Sequence, residues 1–146
     1  MKKRLSMYEK EPGAYKAMMA LENYTKENTI DPLLKELIKT RASQLNGCAY
    51  CVDMHTEDAI KLGESERRLF AVAVWKESHL FSEAERAALQ LTEEVTLLSK
   101  EGVTDETYDH VVAIFGEQQT AQLIMQIVVI NAWNRIAVTT KAIYKK

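Results

Sequence analysis

Apolar residues recur every three or four positions through most of the chain, the spacing of one helix face. Glu11-Pro12 opens a segment whose apolar positions are Tyr15, Met18, Met19, Leu21 and Tyr24. Asp31-Pro32 is a sharper start, with an acidic N-cap and a proline at the first helical position. Leu33, Leu34, Leu37, Ile38 and Leu45 then mark the face of a helix that Asn46-Gly47 breaks. A further helix is predicted from about Cys48 to Leu62, stopped by Gly63. Ser65 can cap the next, which carries Leu69, Phe70, Val72, Ala73 and Trp75. Ser82 to Glu85 reads SEAE, a capping box, followed by Ala87, Leu89, Leu91, Val95 and Leu98. Thr104 can cap a short helix through Val111, Val112 and Phe115, Gly116 interrupts, and a last helix runs from about Glu117 to about Thr139. No strand-like alternation, repeat or linker interrupts this pattern. The expectation is one all-α domain over residues 1–146, with roughly six or seven helices of ordinary length.

Composition narrows the class. At 146 residues, 47% apolar and 27% charged, the chain can bury a real core. The formal net charge of -2 and the lack of a basic stripe argue against nucleic acid, which needs clustered Lys and Arg. The charged ends, MKKR and KK, read as solvated tails. No apolar run follows MKKR, so no export signal is read and a cytoplasmic location is expected. The most apolar stretch, Leu123 to Val138, is short for a membrane span and is interrupted by Gln126, Asn131, Asn134 and Arg135. It reads as a buried helix, with no membrane partner. Arg135 within it calls for a carboxylate, either Glu36 or an acid of another subunit. His79 and His110 read as surface residues. Trp133 and Asn134 suit a core or interface position better than a substrate pocket, and Met18 and Met19 read as packing residues.

The candidate chemistry lies in NGCAYCVDMH, Asn46 to His55, which holds both cysteines of the chain. On a helix, Cys48 and Cys51 are i,i+3 neighbours and Cys51 and His55 are i,i+4 neighbours, with Cβ atoms about 5 to 6 Å apart. An i,i+3 pair also falls within the Cα separation that a disulfide needs. The helix start favours a thiolate at Cys48, while His55 beside Cys51 can take its proton or stabilise its anion. If the preceding helix folds back across Asn46-Gly47, Glu36 can reach the same cluster and orient His55. Three readings stay open on these residues: a redox dithiol, a zinc site of Cys48, Cys51, His55 and Glu36, or cysteines that fill a core. Glu36 also fits a plain amphipathic helix, LLKELIKTR, with solvated charges. Val52 directly after Cys51 excludes a c-type haem attachment.

The segment ELIKTRASQLNGCAYCVDMH, Glu36 to His55, resembles the core motif of the AhpD-like alkylhydroperoxidases of the carboxymuconolactone decarboxylase superfamily. The pattern is Glu, eleven residues, then C-x-x-C-x-x-x-H; NAWNRIAV, Asn131 to Val138, also looks like the closing helix of family members. The resemblance runs from about Asp31 onward, with the redox core at 31–63. It implies an all-α helical bundle that forms a homo-oligomer, a trimer or a hexamer. It also implies a thiol-dependent peroxidase that reduces hydroperoxides through a dithiol–disulfide cycle, without metal or cofactor. Cys51 would match the peroxidatic cysteine, Cys48 the resolving cysteine, and Glu36 and His55 the proton relay. An external dithiol or a lipoyl-bearing protein would be the reductant. The dipole argument for Cys48 and the resemblance disagree; a specific base next to Cys51 outweighs a partly screened dipole, so attack is assigned to Cys51. The best-characterised members carry a histidine where this chain has Tyr50, a hydrogen-bond donor but a poor base at neutral pH. The relay is then shorter, with Tyr50 at most auxiliary. Lactone decarboxylation is disfavoured because it needs no cysteine pair. General thiol–disulfide exchange, and a non-enzymatic oligomer that senses oxidant or binds zinc, remain the alternatives.

Overall fold

The computed structural model describes residues 4–143. The terminal charges Met1–Lys3, Lys145 and Lys146, read above as solvated tails, lie outside the described residues. Seven α-helices and no strand occur among those residues: α1 Met7–Lys10, α2 Pro12–Glu27, α3 Pro32–Leu45, α4 Ala49–Lys61, α5 Glu66–Ala71, α6 Glu83–Thr96 and α7 Asp105–Thr140. A 3₁₀ segment, Val72–Glu77, joins α5 to the turn before α6.

The starts follow the predicted chemistry. Asp31 accepts from the Leu34 amide, Ser65 from Arg68, and Ser82 and Glu85 form the reciprocal capping box. Gly116, at φ 73° and ψ 164°, breaks α7 into 105–115 and 117–140 where the interruption was expected. The short α1, capped by Ser6, was not foreseen.

The core is the packing of α3 and α6 against α7, with α4 laid across α3. Ile38, Ala88, Leu91, Val111, Leu123 and Ile127 form one cluster, and Leu37, Ala59, Leu69, Val72, Trp75, Phe81 and Leu89 a second. By length and composition α7 could cross a membrane. Instead it is a packed helix of this bundle, with Leu123, Ile127, Val129, Ile130, Asn131 and Asn134 buried.

Two expectations are corrected. The helix capped by Ser65 ends at Ala71, and Trp75 sits in the tighter 3₁₀ segment. Arg86 of α6 donates to the carbonyls of Trp75, Lys76 and Ser78 and so satisfies the polar groups at the end of that segment. Phe70 and Ala73 face outward, Phe70 at 77% exposure. Arg135 is also exposed, and within the chain it donates to the carbonyl and side-chain oxygens of Asn131 and not to Glu36. An exposed guanidinium remains hydrated, so the need for a buried counter-charge does not arise.

Candidate active site

The turn between α3 and α4 sets the cysteine pair. Gly47 takes φ 64°, a left-handed conformation that costs a side-chain-bearing residue about 1 kcal/mol. Asn46 donates to the side-chain oxygens of Asn131 and Asn134 at 2.9 Å each, and Asn134 donates to Ser43 at 3.0 Å. The Cys48 amide donates to the Ser43 carbonyl. These bonds fix the turn to the middle of α7. Asn134 is wholly buried and structural, as expected; Trp133 is half-buried and lines the cavity described below.

Cys48 is the N-cap of α4, not its first residue, and its Sγ accepts from the Cys51 amide at 3.3 Å. The pair is joined as a disulfide with a Cα separation of 5.3 Å. Both cysteines are buried against Ala42, Ile130 and Ala137. They are not equivalent, because Cys51 lines a cavity of ≈ 980 Å³ and Cys48 does not.

Glu36 and His55 meet across α3 and α4. His55 Nδ1 lies 2.9 Å from Glu36 Oε2, and Lys39 Nζ donates to Glu36 Oε1 at 2.9 Å. All three are nearly buried: Glu36 7%, His55 5% and Lys39 6% exposed. Burial alone would push the Glu36 carboxyl up, but the His55 hydrogen bond and the Lys39 charge outweigh it and hold the group below its usual range. Glu36 is therefore ionised at neutral pH and can only accept, which places a proton on His55 Nδ1. In the neutral ring Nε2 then carries the lone pair.

The reading of LLKELIKTR as a helix with solvated charges is thus overturned at Lys35, Glu36 and Lys39, all inside the fold. The spacing held a partial signal for it: Lys39, three residues after Glu36, shares its face, and Lys35 and Lys39 are themselves i,i+4 neighbours. Asp58, one turn beyond His55, was also missed; its carboxylate lies within 4.8 Å of the ligating atoms of Glu36 and His55. That trio differs from the four-ligand zinc set considered above, and in the bridged state neither cysteine offers a thiolate. Tyr50 is half-buried on the cavity wall. His79 and His110 are exposed, as read from the sequence.

Residues 12–94 match the model of the carboxymuconolactone decarboxylase family. The chain belongs to this family. It is 46% identical over 138 residues to the uncharacterized protein YdfG of Bacillus subtilis (strain 168), covering 94% of each. Its fold is similar to that of a protein of unknown function from Agrobacterium tumefaciens proposed as an antioxidant defence protein AhpD, with TM-score 0.96, 37% identity and 99% of each chain covered. It is also similar to an uncharacterized peroxidase-related protein with an AhpD core from Ralstonia eutropha JMP134. That likeness, TM-score 0.83 at 19% identity over 96% of this chain and 75% of that one, concerns the fold alone. The AhpD-like member of the superfamily expected from Glu36 to His55 is therefore what the chain is.

Proposed function

We infer that this protein is a cytoplasmic thiol-dependent peroxidase that reduces organic hydroperoxides. The observation that carries the reading is the order of groups at the cavity: Cys51 on its wall, His55 one helical turn away, and an ionised Glu36 bonded to His55 Nδ1. The bonded Nδ1 leaves Nε2 as the nitrogen that can exchange a proton with the reacting groups.

In the reduced protein, Nε2 of His55 takes the Cys51 proton, and the ionised Glu36 stabilises the imidazolium formed. The Cys51 thiolate attacks the outer oxygen of ROOH; an S–O bond forms, the O–O bond breaks and Cys51 becomes a sulfenic acid. His55 returns the proton to the departing alkoxide, which leaves as ROH. The Cys48 thiol attacks the Cys51 sulfur, and water leaves as the Cys48–Cys51 disulfide closes. An external dithiol, such as a lipoyl-type protein, is oxidised to its own disulfide and restores both thiols. Opening the bridge asks for little backbone movement in this scheme, because an i,i+3 pair at a helix start stays within the Cα separation a disulfide needs. Tyr50, on the cavity wall, serves at most as an auxiliary hydrogen-bond donor in this scheme. The exposed apolar side chains Ile60, Leu62, Phe70 and Val74 supply a surface that assembly into a homo-oligomer, a trimer or hexamer, would bury.

Steady-state turnover of cumene hydroperoxide with a dihydrolipoyl dithiol tests the reading. The expected result is peroxide consumption that Cys51→Ser abolishes and that Cys48→Ser stops after one turnover. Consumption at the wild-type rate in Cys51→Ser would overturn it. Disulfide exchange without peroxide consumption would support a general thiol–disulfide oxidoreductase instead.

A further inference from the structure

The cavity next to Cys51 holds cationic side chains that the peroxidase cycle does not consume. Lys35 and Lys39 both line it, and both are 6% exposed. An ammonium has three N–H bonds. Lys35 Nζ spends two, on the carbonyls of Lys26 at 3.0 Å and Asn28 at 3.1 Å. Lys39 Nζ spends one, on Glu36 Oε1. Three N–H bonds on two buried cations, one turn apart on α3, are left over.

The charges nearby do not neutralise both. Glu36 is shared between Lys39 and His55, and Asp58 lies 3.5 Å from Lys61. Asp31, at the head of α3, is exposed and caps the Leu34 amide. Lys35 donates only to neutral carbonyls; burial and the neighbouring Lys39 charge lower its pKa, and the pull of Glu36 and Asp31 offsets this only in part. The rest of the wall is mainly apolar and aromatic, with Tyr8, Tyr15, Met19, Trp133 and Ile136, and the carboxylate there, Glu22, accepts from Trp133 Nε1 at 3.1 Å. A cavity with a greasy wall and an unspent cation at one end fits an amphiphile with an anionic head.

The geometry points to a carboxylate-bearing ligand, with its head group on Lys35 and Lys39 and its apolar body against Tyr15 and Trp133. The two oxygens of a carboxylate match donors presented by neighbouring lysines. Because Lys39 and His55 share one carboxylate, the head group lies close to the reacting thiol. The body between head and peroxide is therefore compact, an aromatic ring or a short branched chain. As a statement about substrate, a hydroperoxy acid, this rests on the peroxidase reading; as a statement about binding, it does not.

Calorimetric titration of the oxidised protein with para-isopropylbenzoate and para-isopropylbenzamide tests the site. The acid is expected to bind at least about tenfold more tightly than the amide, the worth of a charged hydrogen bond. Lys35→Gln should bring the two within about threefold, and Lys35→Arg, which keeps the charge, should retain the preference. The Lys35 Nζ resonance of the wild-type protein, labelled on lysine nitrogen, should shift with the acid and not with the amide. This measurement stands whether or not the variants fold. Equal affinities, no binding of the acid, a preference undiminished in folded Lys35→Gln, or an unmoved Nζ resonance would each overturn the site. In turnover, para-carboxylated cumene hydroperoxide should exceed cumene hydroperoxide in kcat/KM by a similar factor. If the acid binds as expected and neither hydroperoxide is consumed, the peroxidase reading falls and the carboxylate site remains.

Discussion

Glu36→Gln removes one charge from the buried trio and changes almost nothing in shape. Glu36 holds Lys39 through Oε1 and His55 through Oε2, each at 2.9 Å, with all three side chains less than a tenth exposed. Removing one partner of a buried ion pair costs about 3 to 5 kcal/mol when nothing replaces it. The amide oxygen still accepts from Lys39, so about 2 to 3 kcal/mol is expected here. For a chain of this size that lowers Tm by roughly 5 to 10 °C. The amide nitrogen facing His55 Nδ1 can only donate, so Nδ1 must accept and the proton moves to Nε2. Nε2 can then no longer take the Cys51 proton, and the rate of thiol oxidation by peroxide should fall about 10² to 10⁴-fold. Thermal unfolding of the oxidised variant reads the first effect, and stopped-flow oxidation of the reduced variant the second. The pH dependence has a definite sign. The folded-state pKa of Glu36 is lowered, so its contribution is present above the ordinary carboxylate range and is lost as pH falls through the folded value. The stability gap between wild type and Glu36→Gln should therefore be widest near neutral pH and narrow in acid. A variant as stable as wild type at pH 7 and oxidised at the wild-type rate would refute both the buried pairing and the relay.

Glu93 accepts from Arg41 and Trp75 and pairs with Lys76, so Glu93→Ala should cost about 2 to 4 kcal/mol in urea unfolding and release the 3₁₀ segment, read as a change in Trp75 fluorescence. Asn134→Ala should cost about 2 kcal/mol by the same measurement, since it strips Ser43 and Asn46 of a buried partner; amide exchange at 46–51 should accelerate. Reducing the Cys48–Cys51 bridge should lower stability by no more than about 2 kcal/mol, because the loop it closes is very short. A larger loss would mean that the bridge is structural rather than an intermediate of turnover.

Much of the fold was legible because its signals are local. Asp31-Pro32, the capping box at Ser82 and Gly116 act within a few residues, and the helices start or break where those residues stand. The switch from α5 to a 3₁₀ segment was not legible: the end of that segment is held by Arg86, which reaches back from α6 to three carbonyls, a contact between separate elements. The pairing of Glu36 with His55 was anticipated from motif spacing, and the burial of the lysines around it was not. A lysine in an amphipathic helix looks solvated until tertiary packing covers it. Lys35 is covered because the end of α2 and the connection after it fold over it, supplying the carbonyls of Lys26 and Asn28. Arg135 shows the reverse case: an apolar stretch suggested burial, but its position on α7 faces outward.

The most direct test is the mass of the reduced protein within seconds of adding one equivalent of an organic hydroperoxide. The account predicts the loss of two hydrogens, mapped to a Cys48–Cys51 bridge, and no bridge in Cys51→Ser. An unchanged mass in the wild-type protein would contradict the peroxidase assignment at its root.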